Sequence, residues 1–367
     1  MSLYGKGFWI WQIPRCENGI PSAIAARAVE AGLSHVLIKI ADGSKWVYNY
    51  DYDTNVDLVP PVVYALREAG IQVWGWHYIW GEYPQGEAQL AIERTKSLGL
   101  DGYVIDAEAE FKQSGKIVAA RRFVQDLRAG LPNLPIALSS YRFPRSHPRF
   151  PFAEFLKICD YSMPQVYFEQ ATNVEEQLER SVEQYMAIDP SCPVIPTAPT
   201  YFTSGWRPSA EEITRFFQKA KDMDLTAVNA WSWDYTNRPN SGDLWQAVAD
   251  YEWTASVPVP DICERLIGRM NQHNPLYLAD LYHDNAAHVT GARTVVGRES
   301  ITEWYRVLFN QLLPYGQFEL TGRSGRRASR TFTWTASSDN GTVLNGNDTL
   351  GLINGKIQYH YTYFTIT

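Results

Sequence analysis

Two acidic side chains, Asp106 and Glu108, carry the clearest chemical signal in the sequence. They close the run Asp101-Gly102-Tyr103-Val104-Ile105-Asp106-Ala107-Glu108. Residues alternate sides along a strand, so Val104, Asp106 and Glu108 share one face there, with same-face neighbours about 6.5–7 Å apart. Two carboxylates that close disfavour double ionisation, so one keeps its proton and can serve as a general acid. Glycoside hydrolysis needs such a pair, and the implied spacing lies between the retaining and inverting geometries. The competing reading is a pair of surface carboxylates near a helix N-terminus, favoured there by the helix dipole.

The elements around this run must hold it in place. Strand patterns fall at Gly7–Ile13, His35–Ile40, Gln72–Tyr78, Gly102–Glu108, Pro135–Ser140, Asp160–Tyr167, Pro193–Thr197 and Thr226–Trp233. Amphipathic helical patterns lie between them near 21–31, 56–69, 85–99, 113–129, 152–158, 173–187 and 208–223, and a last one follows near 242–251. Eight strand–helix units over about 250 residues predict a (β/α)8 TIM barrel, whose ligands meet the C-terminal strand ends. A doubly wound open sheet is the alternative, but Trp11-Gln12-Ile13-Pro14-Arg15 is not its Gly-rich phosphate turn. The barrel is assigned residues 1–251 and a Pro-containing linker 252–260. Residues 261–367 form an α+β module of helices followed by hairpins.

At the strand ends, further candidates for ligand contact are Gln165 and Tyr167 on strand six, Trp231 and Asp234 at strand eight, His77 on strand three and Asp42 after strand two. Each has a plainer alternative: barrel packing for Gln165 and Tyr167, a hydrogen-bonded core residue for His77, turn chemistry for Asp42 and Asp234. The aromatics add to this set. The 367 residues include 13 Trp, 22 Tyr and 15 Phe, 14% in all, and only Trp304 and Trp334 lie beyond Pro260. Trp9, Trp11, Trp76 and Trp231 fall on strands that feed the mouth, and flat rings beside carboxylates suit a sugar, whose ring faces are apolar.

The strand-four run resembles the signature of glycoside hydrolase family 18, the chitinases, together with Met163-Pro164-Gln165-Val166-Tyr167 and Trp231-Ser232-Trp233-Asp234-Tyr235; Val104 stands where that family has a further aspartate. The first half also resembles family 25, the lysozyme-like muramidases, through Trp11-Gln12, Leu37-Ile38-Lys39-Ile40-Ala41-Asp42-Gly43, Ala69-Gly70-Ile71 with Gly75, His77 and Tyr78, and Ile105-Asp106-Ala107-Glu108. Strand one, Phe8-Trp9-Ile10, lacks that family's aspartate. The resemblance implies a glycosidase for an amino-sugar polymer, peptidoglycan or chitin-like, with Glu108 as general acid and Asp106 as its partner. The alternative is a glycan-binding pseudoenzyme. No metal or organic cofactor is implied.

The second module resembles the polyketide-cyclase-like (SnoaL-like) branch of the nuclear transport factor 2 superfamily, a curved sheet around a helix-lined cone. The matching pieces are Leu281-Tyr282-His283-Asp284-Asn285-Ala286, Val296-Gly297-Arg298-Glu299-Ser300-Ile301 and Ile353-Asn354-Gly355-Lys356-Ile357. The resemblance implies a small-molecule site or a homodimer through this module. Tyr282, His283, Asp284, His288 and His360 are its acid/base candidates, with His283 and Asp284 expected in a helix-to-strand connection. Arg323, Arg326, Arg327 and Arg330 form a basic cluster, read by default as a solvated loop.

Composition sets the outer limits. Apolar residues make up 45% and charged residues 20%, enough for a sizeable core. Net charge is −7, with 23 basic and 31 acidic residues through Pro260 and 10 and 9 after it, so no nucleic-acid partner is expected. No stretch reaches the roughly 20 apolar residues of a span, so no membrane partner is expected either. Cys16, Cys159, Cys192 and Cys263 are widely spaced and read as free thiols. No basic and apolar leader precedes Gly7, so no Sec signal is expected.

Overall fold

The computed structural model describes residues 3–253, 260–325, 328–353 and 355–367, which divide into two compact units, Met1–Pro258 and Val259–Thr367. Most of the linker, together with Arg326, Arg327 and Asn354, lies outside the described residues.

In the first unit eight parallel strands close into a barrel: β1 Gly5–Ile10, β2 His35–Asp42, β3 Gln72–Ile79, β4 Gly102–Ala107, β5 Ile136–Tyr141, β6 Tyr161–Gln165, β7 Thr197–Pro199 and β8 Ala227–Trp231. Neighbours pair in chain order, and β8 closes on β1. Helices alternate with the strands: α1 Pro21–Glu30, α2 Val59–Glu68, α3 Pro84–Leu98, α4 Lys116–Gly130, α5 Phe152–Leu156, α6 Val174–Ile188, α7 Ala210–Asp222, then α8 Trp233–Thr236 and α9 Gly242–Ala249. Local sequence sets these boundaries. Pro21 and Pro84 occupy first-turn positions where no N–H is needed. Ser209 and Glu212 form a capping box that opens α7, and Gly99, at φ +60°, ends α3.

Parallel strands are covered on both faces, so the barrel has two cores. The outer one, between strands and helices, includes Phe8, Ile10, Val36, Ile38, Tyr103, Ile105 and Leu138. The lumen is filled by Trp9, Leu37, Trp74, Trp76, Val104, Ala137, Met163, Ile195 and Ala227. Three indoles fit because the facing strands contribute small side chains. At Gly102 a Cβ would stand 2.3 Å from the Trp74 ring.

Strands four, six and eight end one or two residues before their expected ends, leaving Glu108, Tyr167 and Trp233 beyond them, and strand two runs on to Asp42; two other strands differ more. β1 stops at Ile10, because Asn49 takes over the next backbone groups: Ile13 N donates to Asn49 Oδ1 at 2.8 Å and Asn49 Nδ2 donates to Trp11 O at 3.1 Å. The seventh strand sits at Thr197–Pro199 rather than Pro193–Thr197, since Pro193 and Pro196 cannot donate to a ladder; only the bridge Ser162–Val194 survives upstream.

The second unit is an α+β cone. Helices α10 Ile262–Met270, α11 Pro275–Ala279 and α12 Arg298–Val307 accompany a six-stranded sheet. Its strands are β9 Tyr282–Val289, β10 Thr294–Val296, β11 Gln317–Ser324, β12 Ser329–Ser338, β13 Gly341–Ile353 and β14 Lys356–Tyr363, in the order β10-β9-β14-β13-β12-β11. Only β9 and β14 pair in parallel. Register shifts in β9, β11, β12 and β13 bend the sheet around Leu266, Tyr305, Phe309, Trp334 and Leu350. All four cysteines are buried.

Candidate functional site

Asp106 is the last lumen-facing residue of β4, opposite Tyr78 on β3 and Ser139 on β5. The chain leaves the strand at Glu108, whose backbone (φ −137°, ψ −129°) turns into the short helical segment Ala109–Lys112. The two carboxylates therefore stand one above the other at the C-terminal mouth. Gln165, ending β6, joins them: its Nε2 is 3.1 Å from Asp106 Oδ1, 2.9 Å from Glu108 Oε1 and 3.3 Å from Ser139 Oγ.

Burial pushes the Asp106 carboxyl well above the usual carboxylate range, and the Glu108 charge adds to this, against a downward pull from Lys39. Burial also raises Glu108, while the Gln165 amide opposes the rise and Glu110 reinforces it. The two groups titrate as a pair that holds a proton after ordinary carboxylates have lost theirs.

Lys39 and Asp42 share this mouth through a bulge. Strict alternation would send residues 39 and 42 to opposite faces. Between Lys39 and Ala41 the β2–β3 register slips by one, so Lys39 pairs with Trp76 and Asp42 with Tyr78. Lys39 Nζ then reaches Asp42 Oδ2 at 2.6 Å and lies 4.1 Å from the Tyr48 ring and 4.9 Å from the Trp76 ring. The other carboxylate oxygen accepts Trp80 Nε1 at 2.8 Å. Tyr78 Oη donates to Glu110 Oε2 at 2.8 Å. On the far side Lys112 Nζ stands 3.7 Å from the Tyr141 ring, whose hydroxyl is pushed up to about 12 by burial and by Glu108 and Glu110. Half-buried Tyr167 is raised by burial, by Tyr201 and by both members of the pair.

Of the residues expected to contact ligand, Gln165, Tyr167, Asp42, Trp231 and Trp11 reach the mouth region. Trp231 and Trp11 are half-buried and pack on the lumen cluster. Trp9 and Trp76 are 2% exposed and form the floor with Trp231, at ring separations of 5.3–5.8 Å. At that burial neither offers a ring face to a ligand, and their N–H groups are taken by Thr197 Oγ1 (3.2 Å) and Ile10 O (3.0 Å). His77 is not a contact residue. It lies on the helix-facing side of β3, fully buried, with Nδ1 3.0 Å from Tyr103 Oη and Nε2 2.7 Å from Gly43 O, and burial lowers its pKa to about 4. Asp234 is also a structural group: it is buried and accepts Trp11 N at 2.9 Å, tying the ends of β8 and β1. The Trp231–Ser232 peptide is cis.

The mouth also holds Lys39, Tyr78, Glu110, Ser139, Tyr141 and Lys112, none of which is among the candidate contact residues of the sequence. Lys39 shares parity with lumen-facing Leu37, Tyr78 with Trp74 and Trp76, and Ser139 and Tyr141 with Ala137; that signal was present. The placement of Glu110 and Lys112 depends on a turn beyond the strand and had none.

In the second unit, His283 and Asp284 belong to strand β9 rather than a connection, and Asp284 points outward to Arg298. Inside, Tyr282 Oη lies 2.6 Å from Tyr305 Oη and 2.6 Å from His360 Nδ1, and His360 Nε2 lies 2.8 Å from Asp348 Oδ2. Asp348 also accepts Trp334 Nε1 at 2.9 Å and the Thr362 hydroxyl. His288 is buried beside this chain, its ring centroid 4.5 Å from that of His360, and burial and His360 hold its pKa down to about 2. Arg330 and Arg323 reach Asp261 and Glu264 at the start of α10, at 2.8 and 3.2 Å.

No family profile matches the chain, and no curated protein matches it in sequence. Among solved structures, a chitinase from Chromobacterium violaceum is similar to the barrel, with 12% identity, a TM-score of 0.50, and 67% of this chain and 98% of that one covered. At that identity the likeness is one of fold. Over the second unit, an NTF2-like protein of unknown function from Cytophaga hutchinsonii (12% identity, 28% of this chain and 87% of that one, TM-score 0.25) and another from Mesorhizobium loti (19%, 28% and 88%, 0.25) are also similar.

Proposed function

We propose that the first unit is a glycoside hydrolase acting on an amino-sugar polymer, peptidoglycan or chitin-like. The observation that carries this reading is the single Gln165 amide reaching Asp106 and Glu108 at the barrel mouth, with both carboxyls raised by burial. Glu108 is the outer of the two and protonates the glycosidic oxygen as its bond to the anomeric carbon breaks; a solvent water then adds to that carbon and gives up the proton that restores Glu108. Asp106 sits beneath it, shares the proton of the pair at rest, and as a carboxylate stabilises positive charge developing at the sugar ring. Gln165 and Tyr167 orient the ring against half-buried Trp231. The low dielectric of this buried pair strengthens each of these interactions.

A second reading is favoured by one residue. Strand one, Phe8-Trp9-Ile10, lacks the carboxylate of the muramidase pattern, and the Trp9 indole fills the lumen there. A protein without that group would hold the glycan and leave it intact. One experiment separates the two: incubate the protein with peptidoglycan and chitin fragments and read cleavage and retention by mass spectrometry. Cleavage that disappears in Glu108→Gln while retention persists supports the hydrolase. Retention alone in the unaltered protein supports the binding module, and cleavage unaffected by Glu108→Gln overturns the site.

A further inference from the structure

The loops after β2 and β3 expose large aromatics beside the acidic mouth. Trp46 is 57% exposed, Tyr52 52% and Trp80 40%. Scattered surface aromatics are ordinary, but these are held in place by their own loops. Trp46 lies on the two-residue strand Trp46–Val47 that pairs antiparallel with the end of β2, opposite Asp42. Its ring is 5.0 Å from that of Tyr52, which is 4.8 Å from that of Tyr50. Tyr52 Oη accepts Val47 N and donates to Val47 O, both at 3.1 Å, and Tyr50 Oη donates to Asn55 Oδ1 at 2.6 Å. The Trp80 indole is fixed by Asp42 Oδ1 and lies over Gly43, where a Cβ would stand 3.2 Å from Trp80 Cδ1. The polar atoms of Tyr50, Tyr52 and Trp80 are thus spent within the loops while substantial ring surface stays open. Ordering costs little in such plates when a ligand arrives.

Resting on the glycosidase reading of the neighbouring mouth, we infer that Trp46, Tyr52 and Trp80 form an outlying subsite for an uncharged stretch of glycan chain. Continuity supports a chain that runs from the mouth: Trp80 bonds Asp42, Asp42 bonds Lys39, and Lys39 acts on Asp106. Charge narrows the occupant. Exposed Asp53 and Glu82 and half-buried Asp51 belong to the same two loops, against exposed Lys45 and half-buried Lys116, whose Nζ donates to Trp80 O at 2.8 Å, and the mouth adds Asp42, Glu110 and the proton-sharing Asp106–Glu108 pair against Lys39 and Lys112. This acid surplus repels a polyanion, and Asp42, which pairs with Trp46 and bonds Trp80, interrupts the continuous apolar surface that a protein partner covers. A neutral sugar offers apolar ring faces to the plates and hydroxyls to the carboxylates between them.

The test uses the full chain and calorimetric titration with neutral N-acetylglucosamine oligomers of two and six units, and with an anionic uronic-acid hexamer. The unaltered protein is expected to bind the neutral hexamer about tenfold or more above the dimer, and above the anionic hexamer. In Trp46→Ala/Tyr52→Ala that length-dependent gain shrinks to below threefold. Trp46→Ala alone, which leaves the Tyr52–Val47 bonds in place, loses part of it. An undiminished gain in both variants overturns the subsite, as does equal affinity for the anionic hexamer. If the variants lose the gain in a protein that cleaves nothing, the subsite stands and the hydrolase reading falls. If the protein cleaves the hexamer and neither variant alters its binding, the subsite alone falls. Failure of the unaltered protein to bind any oligomer overturns both.

Discussion

Replacing Asp106 by Asn tests the electrostatics of the mouth without reference to any substrate. A buried carboxyl whose pKa is raised in the fold keeps its proton where the unfolded chain has already released it. Over that interval the unfolded state binds fewer protons, so stability falls as pH rises. The interval opens near the ordinary Asp value of about 3.9 and runs upward to the raised value, with a slope of about 1.4 kcal/mol per pH unit for one proton. Asn removes the titration and can still accept the Gln165 donor bond. The variant and the unaltered protein should therefore match in stability near pH 3.5, and the variant should pull ahead as pH increases. For a unit of this size 1 kcal/mol is worth roughly 2–4 °C, so the gain is about 3–6 °C per pH unit within the interval. Thermal melts followed by tryptophan fluorescence report mainly on the barrel, since only Trp304 and Trp334 lie beyond Pro260. Subtracting the two melting curves across pH 3.5–8 cancels the titrating groups outside the Asp106–Glu108 pair. A difference that stays flat with pH, or a variant less stable than the unaltered protein at pH 8, refutes the reasoning.

Gln165→Leu removes the amide that holds Glu108 down, so the alkaline limb of the pH–rate profile should move to higher pH while kcat drops; an unmoved limb contradicts the bridging role. Gly102→Ala places a Cβ against the Trp74 ring and should cost about 1–3 kcal/mol in chemical denaturation, with no loss expected if the lumen can relax. Asp348→Ala strands the Trp334, Thr362 and His360 partners inside the second unit and should cost about 3–5 kcal/mol, whereas a surface-like effect below 0.5 kcal/mol would show that the chain of bonds is not held as described.

The barrel was legible because parallel strands buried on both faces read as apolar runs, and helices with capping and proline signals separate them. Alternation also placed Asp106 correctly, on the face of Val104. The same rule, applied to strand three, puts His77 opposite Trp74 and Trp76 and so against the helices, where a histidine is a core group rather than a ligand contact. Asp42 illustrates the opposite case. Its company with Lys39 depends on a one-residue slip between β2 and β3, which alternation cannot foresee. The tryptophans gather near the mouth as composition suggested, but Trp9, Trp74 and Trp76 go inward, because Gly102, Val104, Ala137 and Ala227 leave the lumen empty for them. That complementarity spans five strands and is visible only once they are closed into a ring.

The central claim is that Glu108, in a pair with Asp106, delivers a proton to a glycosidic bond. Its most direct test is the initial rate of chitin- and peptidoglycan-oligomer cleavage across pH 4–9, for the unaltered protein and for Glu108→Gln. The account predicts cleavage that declines only as pH passes the raised range of the pair, and a loss of roughly 10²–10⁴-fold in Glu108→Gln with the oligomer still bound. Equal rates in the two proteins would contradict it.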